Sequence, residues 1–427
     1  SLPSPPLSLS AAHFSFHSVV VYFLMVVCTS HFSLSIASFA NTRNRRKVAN
    51  NMKSSILLLI LLIETFHIQY TNASLAFYIQ IYEGNIKESV RLMRRIYVSE
   101  ESDFVYAIHV DAKLDDSSSE SSRKAYQDLL DEFESLSNVY FLKRHPVTYR
   151  GVSMLLSTLD GIETLLKANS KWHHFINLSG SDYPLLDPRW MDIVLKDCKG
   201  GNRTFIRMDN SNVTRKSALY MSNRYLINWE DGALAGKSSD DVKRYKYHND
   251  GYWYMYNQPT FNINKGSAWV VLSREAAQFS LASSSSRWML AFFSHTCSSP
   301  ELFFHTVLYQ SEDIEKSVVE MDMHFVDWHG MVQHPQVLEY ESHSKKVSRS
   351  GKLFMRKLSL EKSTKLMDYA DENLLWYPSS TNTMDPPKAF MKNYNALRGL
   401  CGIKKTPIDV ASPPLTAFRM GSRVGGG

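Results

Sequence analysis

The chain has 427 residues, of which 44% are hydrophobic and 12% aromatic, enough for a large core and too apolar for intrinsic disorder. Its formal net charge of +6 is spread along the chain, without a dense Lys/Arg block interleaved with aromatics. Nothing therefore marks a nucleic-acid partner, and an anionic small ligand suits the balance.

Residues 1–51 hold an uncharged apolar stretch from about His13 to Ala40 and then the basic run Arg43 to Lys47. They read either as upstream sequence or as a membrane anchor. Residues 52–73 have the build of a signal peptide or signal anchor: Met52, Lys53, an apolar run from Ile56 to Ile63, and the small residue Ala73. Either reading delivers the body of the chain to the secretory lumen. Cys198, Cys297 and Cys401 lie in that body, so at most one intramolecular bridge forms there, and spacing does not say which. Sequons begin at Asn72, Asn177, Asn202 and Asn212; the last two sit in polar surroundings, whereas Asn177 lies in an apolar run and is expected to be buried.

From Leu75 the body alternates apolar runs with amphipathic segments. LAFYIQIY (75–82) predicts a buried parallel strand, IKESVRLMRRIY a helix, and FVYAIHVDAK (104–113) a second strand ending in Asp111. A charged helix over 122–136, strand VYFLKR, a helix over 154–166 and strand HHFINLSG follow. This alternation predicts an α/β fold, in which ligands bind at the carboxyl ends of the strands. Residues 199–264 are loop-rich and aromatic, as expected of a cover or an acceptor platform. Strand AWVVLS, helix REAAQFSLA, strand-like HFVDWHG, the segment KLFMRKLS and a helix over 359–371 complete the body, 75–376. Residues 377–427 are expected to form a partly ordered tail.

Several segments carry chemistry. Asp111 ends an apolar strand, where a carboxylate either accepts from a ribose or base or simply serves a turn. VTYRG (147–151) offers Thr148, Tyr149 for stacking, and a glycine that would let backbone approach a ligand, although in isolation the segment reads first as a plain turn. LSGSDYPL (178–185) sets Ser179, Ser181 and Asp182 in a polar turn after a buried strand. In SSPELFFHTVL (298–308), Glu301 lies between Pro300 and the Phe303-Phe304 pair, at the rim of something dry. The plain alternative makes it the first turn of a helix capped by Ser299. Arg356 and Lys357 form a basic pair able to neutralise a diphosphate, or a solvated surface pair. His329 and His334 lack acid partners nearby and read as loop residues. Walker, GxGxxG, HExxH, GxSxG and strand-end DxD patterns are absent.

In collinear order, LAFYIQIY, IHVDAK, VTYRG, FINLSGSDYPL, GSAWVVLSRE, SSPELFFHTV, QHP and FMRKL resemble the core-2/I-branching family of glycosyltransferases over Leu75 to Asp371. VTYRG, GSAW and SSPE look closest to its plant β-glucuronosyltransferase branch; the family also holds β-1,6-N-acetylglucosaminyltransferases and peptide O-xylosyltransferases. The resemblance implies a GT-A type fold with a mostly parallel central sheet, a type II membrane protein of the Golgi with a lumenal catalytic domain, and inversion at the anomeric carbon. It implies Glu301 as general base, with Pro300 where the N-acetylglucosaminyl branch has Asp. Ala268 stands where the xylosyl branch has its Asp, which argues against xylosyl transfer. Asp111 matches the acid at the uridine, and Thr148 and Tyr149 a donor-contact turn. Ser181, Asp182 and Trp269 join them as substrate-binding candidates. Arg356 and Lys357 match the pair that replaces a metal at the diphosphate, so a UDP-sugar donor, a glycan or glycoprotein acceptor, and no metal or other cofactor are expected. UDP-glucuronate is the expected donor, with N-acetylglucosaminyl transfer as the alternative. A different class of reading is a lumenal family member that binds UDP or glycan without turnover. Leu75 follows the signal-like segment almost directly, where the family usually has a stem, so either the stem is missing or the enzyme is soluble in the secretory lumen; residues 199–264 match poorly, which leaves the acceptor open.

Overall fold

The computed structural model describes residues 74–99, 102–117, 119–169, 171–209, 224, 228–236, 240–244, 261–330, 334–378 and 385–403. The N-terminal segments before 74, the sequons at Asn72 and Asn212, and the chain end from 404 lie outside these residues.

The elements run β1 (Leu75–Ile81), α1 (Ile86–Ile96), β2 (Val105–Val110), α2 (Glu120–Phe133), β3 (Val139–Phe141), α3 (Val152–Ala168), β4 (His174–Ser179), β5 (Tyr183–Pro184), α4 (Pro188–Asp197) and β6 (Thr204–Ile206). Then come β7 (Trp229–Glu230), β8 (Lys243–Arg244), β9 (Val271–Ser273), α5 (Arg274–Ala282), α6 (Ser284–Phe293), α7 (Phe303–Val307), α8 (Glu312–Ser317), β10 (Val318–Glu320) and β11 (His324–Val326). Helix α9 (Tyr340–Val347), β12 (Phe354–Arg356), α10 (Leu360–Asn373) and α11 (Lys388–Cys401) close the described chain.

Seven strands form the central sheet in the order β10-β6-β9-β4-β1-β2-β3. All pairings are parallel except those of β9, which runs antiparallel to both β4 and β6. This is the mostly parallel α/β sheet expected. The first strands are apolar throughout because both faces are covered. Phe77, Ile79 and Ile81 of β1 pack with α1, α2, α4 and α11 on one face, while Ala76 and Tyr78 pack with α3, α5, α6 and α7 on the other. Asn177 is buried as expected: its side chain accepts from Val270 N (2.7 Å) and donates to Ala268 O (3.0 Å), extending the seam between β4 and β9.

A small sheet, β11-β12-β5, sits over its own apolar cluster with α9 and α10. It carries Arg356 at the end of β12 and begins β5 just after Asp182. The segment expected as a tail contains a packed element: α11 buries Phe390, Tyr394 and Leu397 against Trp190, and Cys401 is bonded to Cys198. Among the described residues Cys297 is a buried free thiol. Among the described residues no helix is long and apolar enough to cross a membrane.

Candidate active site

The polar turn after β4 is built around a buried carboxylate. Gly180 lies where a Cβ would stand 2.0 Å from Ser89 Oγ and 2.5 Å from Asn85 O, so the turn passes tightly over the start of α1. Asp182, 1% exposed, accepts from Ser179 N (2.6 Å) and Ser179 Oγ (3.0 Å). Arg356 Nη1 donates to both of its oxygens (3.0 and 3.1 Å) and to Ser179 Oγ (3.3 Å). The guanidinium also lies 4.0 Å from the centroid of the Trp269 ring, a cation–π contact. Ser181 is buried, and its carbonyl accepts from Leu358 N (3.0 Å). Asp182 thus holds Arg356 in place and has no open face toward a ligand, while Trp269 supplies the platform beneath. Lys357 is half-buried; burial first, and then the charge of Arg356, hold its ammonium below the usual lysine value. No carboxylate pairs with it among the described residues.

Glu301 closes a short 3-10 turn, Ser299–Glu301, entered through Ser298 at φ 63°. Ser299 does not cap a helix: its hydroxyl turns back to Phe293 O (2.8 Å) and Thr296 O (3.2 Å). Phe303 and Phe304 open α7 and are buried, so the acid does stand at the edge of the core, with its side chain 33% exposed. Its Oε2 accepts from Arg224 Nη1 (2.6 Å) and lies 3.9 Å from Lys265 Nζ. Oε1 has no hydrogen-bond partner among the described residues. The backbone is held as well: Gly266 N donates to Glu301 O (3.0 Å), and a Cβ on Gly266 would stand 1.8 Å from Arg207 O. Lys265, beside that glycine, had a weak signal in sequence; Arg224, in the loop-rich region, had none.

The turn between β3 and α3 links these two centres. Tyr149 is 43% exposed, and its phenol is raised by burial, then by the negative charge of Glu301, against the lowering effects of Arg150 and Arg356. One ring therefore feels both the acid and the cation. His334 stands 5.9 Å from it, ring to ring, and His329 is exposed. Thr148 is fully buried, and its hydroxyl accepts from Ala233 N (3.0 Å). Gly151 makes room within the fold: a Cβ there would meet the Asp231 carboxylate at 2.2 Å, and that carboxylate accepts from Ser153 N (2.7 Å). The close approach is to the chain's own acid, not to a ligand. The hairpin β7–β8 is tied to this turn by Asp231, by the Arg150–Asp241 ion pair and by Tyr149 N donating to Asp240 O (3.2 Å).

Asp111 lies beyond the end of β2, 4% exposed; Lys113 N (3.0 Å) and Val147 N (3.3 Å) donate to its Oδ1. Burial raises its carboxyl above the usual value. It ties the strand end to the segment that leads into Thr148, and its Oδ2 lies 3.7 Å from Lys113 Nζ. Among the described residues no group of three or more His, Cys, Asp or Glu side chains is arranged to hold a metal ion.

Charged side chains that lie beyond the carboxyl ends of a mostly parallel sheet stand where α/β proteins of this class bind their ligands. The family model described as "Core-2/I-Branching enzyme" matches residues 75–356, and the chain belongs to that family. It is 31% identical over 283 residues to β-glucuronosyltransferase GlcAT14A of Arabidopsis thaliana, covering 63% of this chain and 58% of the relative. It is 29% identical to GlcAT14B of the same plant over 57% of this chain and 54% of that one. A β-1,3-galactosyl-O-glycosyl-glycoprotein β-1,6-N-acetylglucosaminyltransferase of Bovine herpesvirus 4 is 29% identical over 29% of this chain and 26% of its own length. The chain thus spans little more than half the length of the two plant relatives.

Proposed function

We propose that the protein is an inverting, metal-independent glycosyltransferase of the Golgi lumen that moves a sugar from UDP, in the first instance glucuronate, to a glycan or glycoprotein hydroxyl. In this reading Glu301 Oε1 takes the proton of the acceptor hydroxyl while its oxygen attacks the anomeric carbon. The new glycosidic bond forms as the bond from that carbon to the β-phosphate oxygen breaks on the opposite face. UDP departs with the electron pair, and Lys357 with Arg356 balances its charge. Arg224 and Lys265 hold Oε2, so the carboxylate turns one oxygen to its task. Tyr149 and Trp269 flank the space between base and cations, and Asp111 stands at the uridine end.

One observation supports this most: the Tyr149 ring feels both the Glu301 carboxylate, whose Oε1 has no hydrogen-bond partner among the described residues, and Arg356, whose neighbour Lys357 is half-buried with no carboxylate partner among the described residues. A half-buried ammonium without a counter-charge is unfavourable unless an anion comes to it. Glucuronate as the donor follows the names of the plant relatives, and UDP-N-acetylglucosamine is the second candidate after the herpesvirus one. A membrane tie would come through the N-terminal segments.

The test is Glu301→Gln. It should lower transfer by about 10²- to 10⁴-fold, the usual worth of a general base, while UDP still binds in calorimetry. EDTA should leave the wild-type rate unchanged, and a panel of UDP-sugars should rank glucuronate first. Full turnover by Glu301→Gln would sink the base assignment, and UDP binding without transfer from any donor would favour a binding protein.

A further inference from the structure

A polar cavity lies at the carboxyl ends of β6 and β10, away from the Asp111 end of the sheet. It measures about 560 Å³ and is lined by Phe261, Asn262, Asn264, Tyr309, Gln310 and Glu315, among others, within the usual range for small-ligand sites. The segment that forms one wall leads directly to the candidate base: Lys265 Nζ is 3.9 Å from Glu301 Oε2, and Gly266 N donates to Glu301 O. Two amides in the wall are already oriented. Asn264 Nδ2 donates to His305 O (3.1 Å), and Gln310 Nε2 donates to Thr306 O (3.0 Å). Each keeps its carbonyl oxygen as an acceptor, and the Glu315 carboxylate adds two more. Beside these acceptors stands an aromatic cluster: Phe261 meets Trp288 and Phe292 edge to face, at 5.2 and 5.3 Å. Trp288 is 56% exposed, unusual for so large an apolar ring.

Oriented acceptors beside the half-buried rings of Phe261 and Tyr309, with Trp288 behind Phe261, match a pyranose, which donates hydrogen bonds from its hydroxyls and lays its C–H face on a ring. Glu315 and Glu320 make the cavity unfavourable for an anion, so the sugar it suits is neutral. We propose that this cavity binds a neutral pyranose of the acceptor glycan, at least one residue removed from the hydroxyl that Glu301 serves. The proposal rests on the glycosyltransferase reading above.

The test uses the full chain and two variants at exposed wall positions, Asn262→Trp to fill the cavity and the pair Gln310→Ala/Glu315→Ala to strip its acceptors. The probes are neutral galactose oligosaccharides of increasing length. Both variants should raise KM for the long oligosaccharides by about tenfold, the loss of roughly one good contact, with KM for the monosaccharide and UDP binding unchanged. Calorimetry with a long oligosaccharide reads the cavity apart from turnover: wild type should bind it, and Asn262→Trp should not. Equal KM changes for short and long acceptors would overturn the proposal, as would unchanged binding by Asn262→Trp or tighter binding of an acidic oligosaccharide. Absence of transfer to every acceptor, with the calorimetric difference kept, would instead overturn the enzymatic reading and leave the cavity assigned.

Discussion

The Asp182–Arg356 pair offers the most decisive check on how the site is built. Asp182 is buried and receives two hydrogen bonds from Ser179 and two from Arg356, whose own side chain is only 12% exposed. Removing one partner of such a pair strands the other charge, at a cost of about 3–5 kcal/mol. Asp182→Asn and Arg356→Met should each lose about that much stability in urea denaturation. The double variant leaves no stranded charge, so its loss should fall short of the sum by about 2 kcal/mol, within the range for residues in contact. Asp182→Asn should also raise the KM for the UDP-sugar, because the guanidinium then loses the anchor opposite Trp269. A ligand-contacting Asp182, as its place in the turn suggests, behaves differently: its replacement would weaken UDP binding at little cost in stability. Additive losses in the cycle, or a stability change below about 1 kcal/mol for Asp182→Asn, would refute the assignment of Asp182 as the anchor of Arg356.

Two further outcomes follow from the fold. Cys198 and Cys401 close a loop with a sequence separation of 203 residues; chain entropy alone assigns such a bridge about 5 kcal/mol. Cys401→Ser should therefore move the urea midpoint down sharply, and a reductant should do the same to wild type but not to the variant. Burial pushes His109 and His174 down to about 3 and His305 to about 4 from 6.5. These rings are neutral in the fold and take protons first in the unfolded chain, so their contribution is complete above pH 6.5 and lost as pH falls below it. At pH 5 the cost is on the order of 2 kcal/mol per histidine. The Tm should fall between pH 7.5 and pH 5, and a flat profile would contradict their burial as neutral groups.

The first four strands of the sheet were legible because each must be apolar on both faces. The antiparallel sense of β9 was not, since VVLS reads the same in either direction and only its neighbours, β4 and β6, decide it. Helix α11 carried a usable signal in Phe390, Tyr394, Leu397 and Cys401 at helical spacing, hidden between a Pro/Thr/Asn stretch and a Gly-rich end. Gly151 was recognised as a position needing space, but the atom demanding that space is Asp231, eighty positions along the chain in the region that matched least.

Charges set the limit for the site itself. Sequence places Asp111 and Asp182 at strand ends and singles out Glu301 as a base and Arg356 and Lys357 as a pair for the diphosphate, so each reads as facing the substrate. It does not say which of them neutralise one another, because Asp182 and Arg356 are 174 positions apart and Arg224 and Glu301 are 77. In the folded chain Arg150 is taken by Asp241, Lys113 by Asp111 and Asp240, Arg224 by Glu301, Lys265 by Asp209, and Arg356 by Asp182. Of the cations in this group, Lys357 alone has no carboxylate among the described residues. Arg356 reaches an incoming diphosphate as half of an ion pair, Lys357 as a whole charge whose half-burial already disfavours it. Lys357→Met should therefore weaken UDP binding more than Arg356→Met does, although adjacent places in the sequence make the two look equivalent.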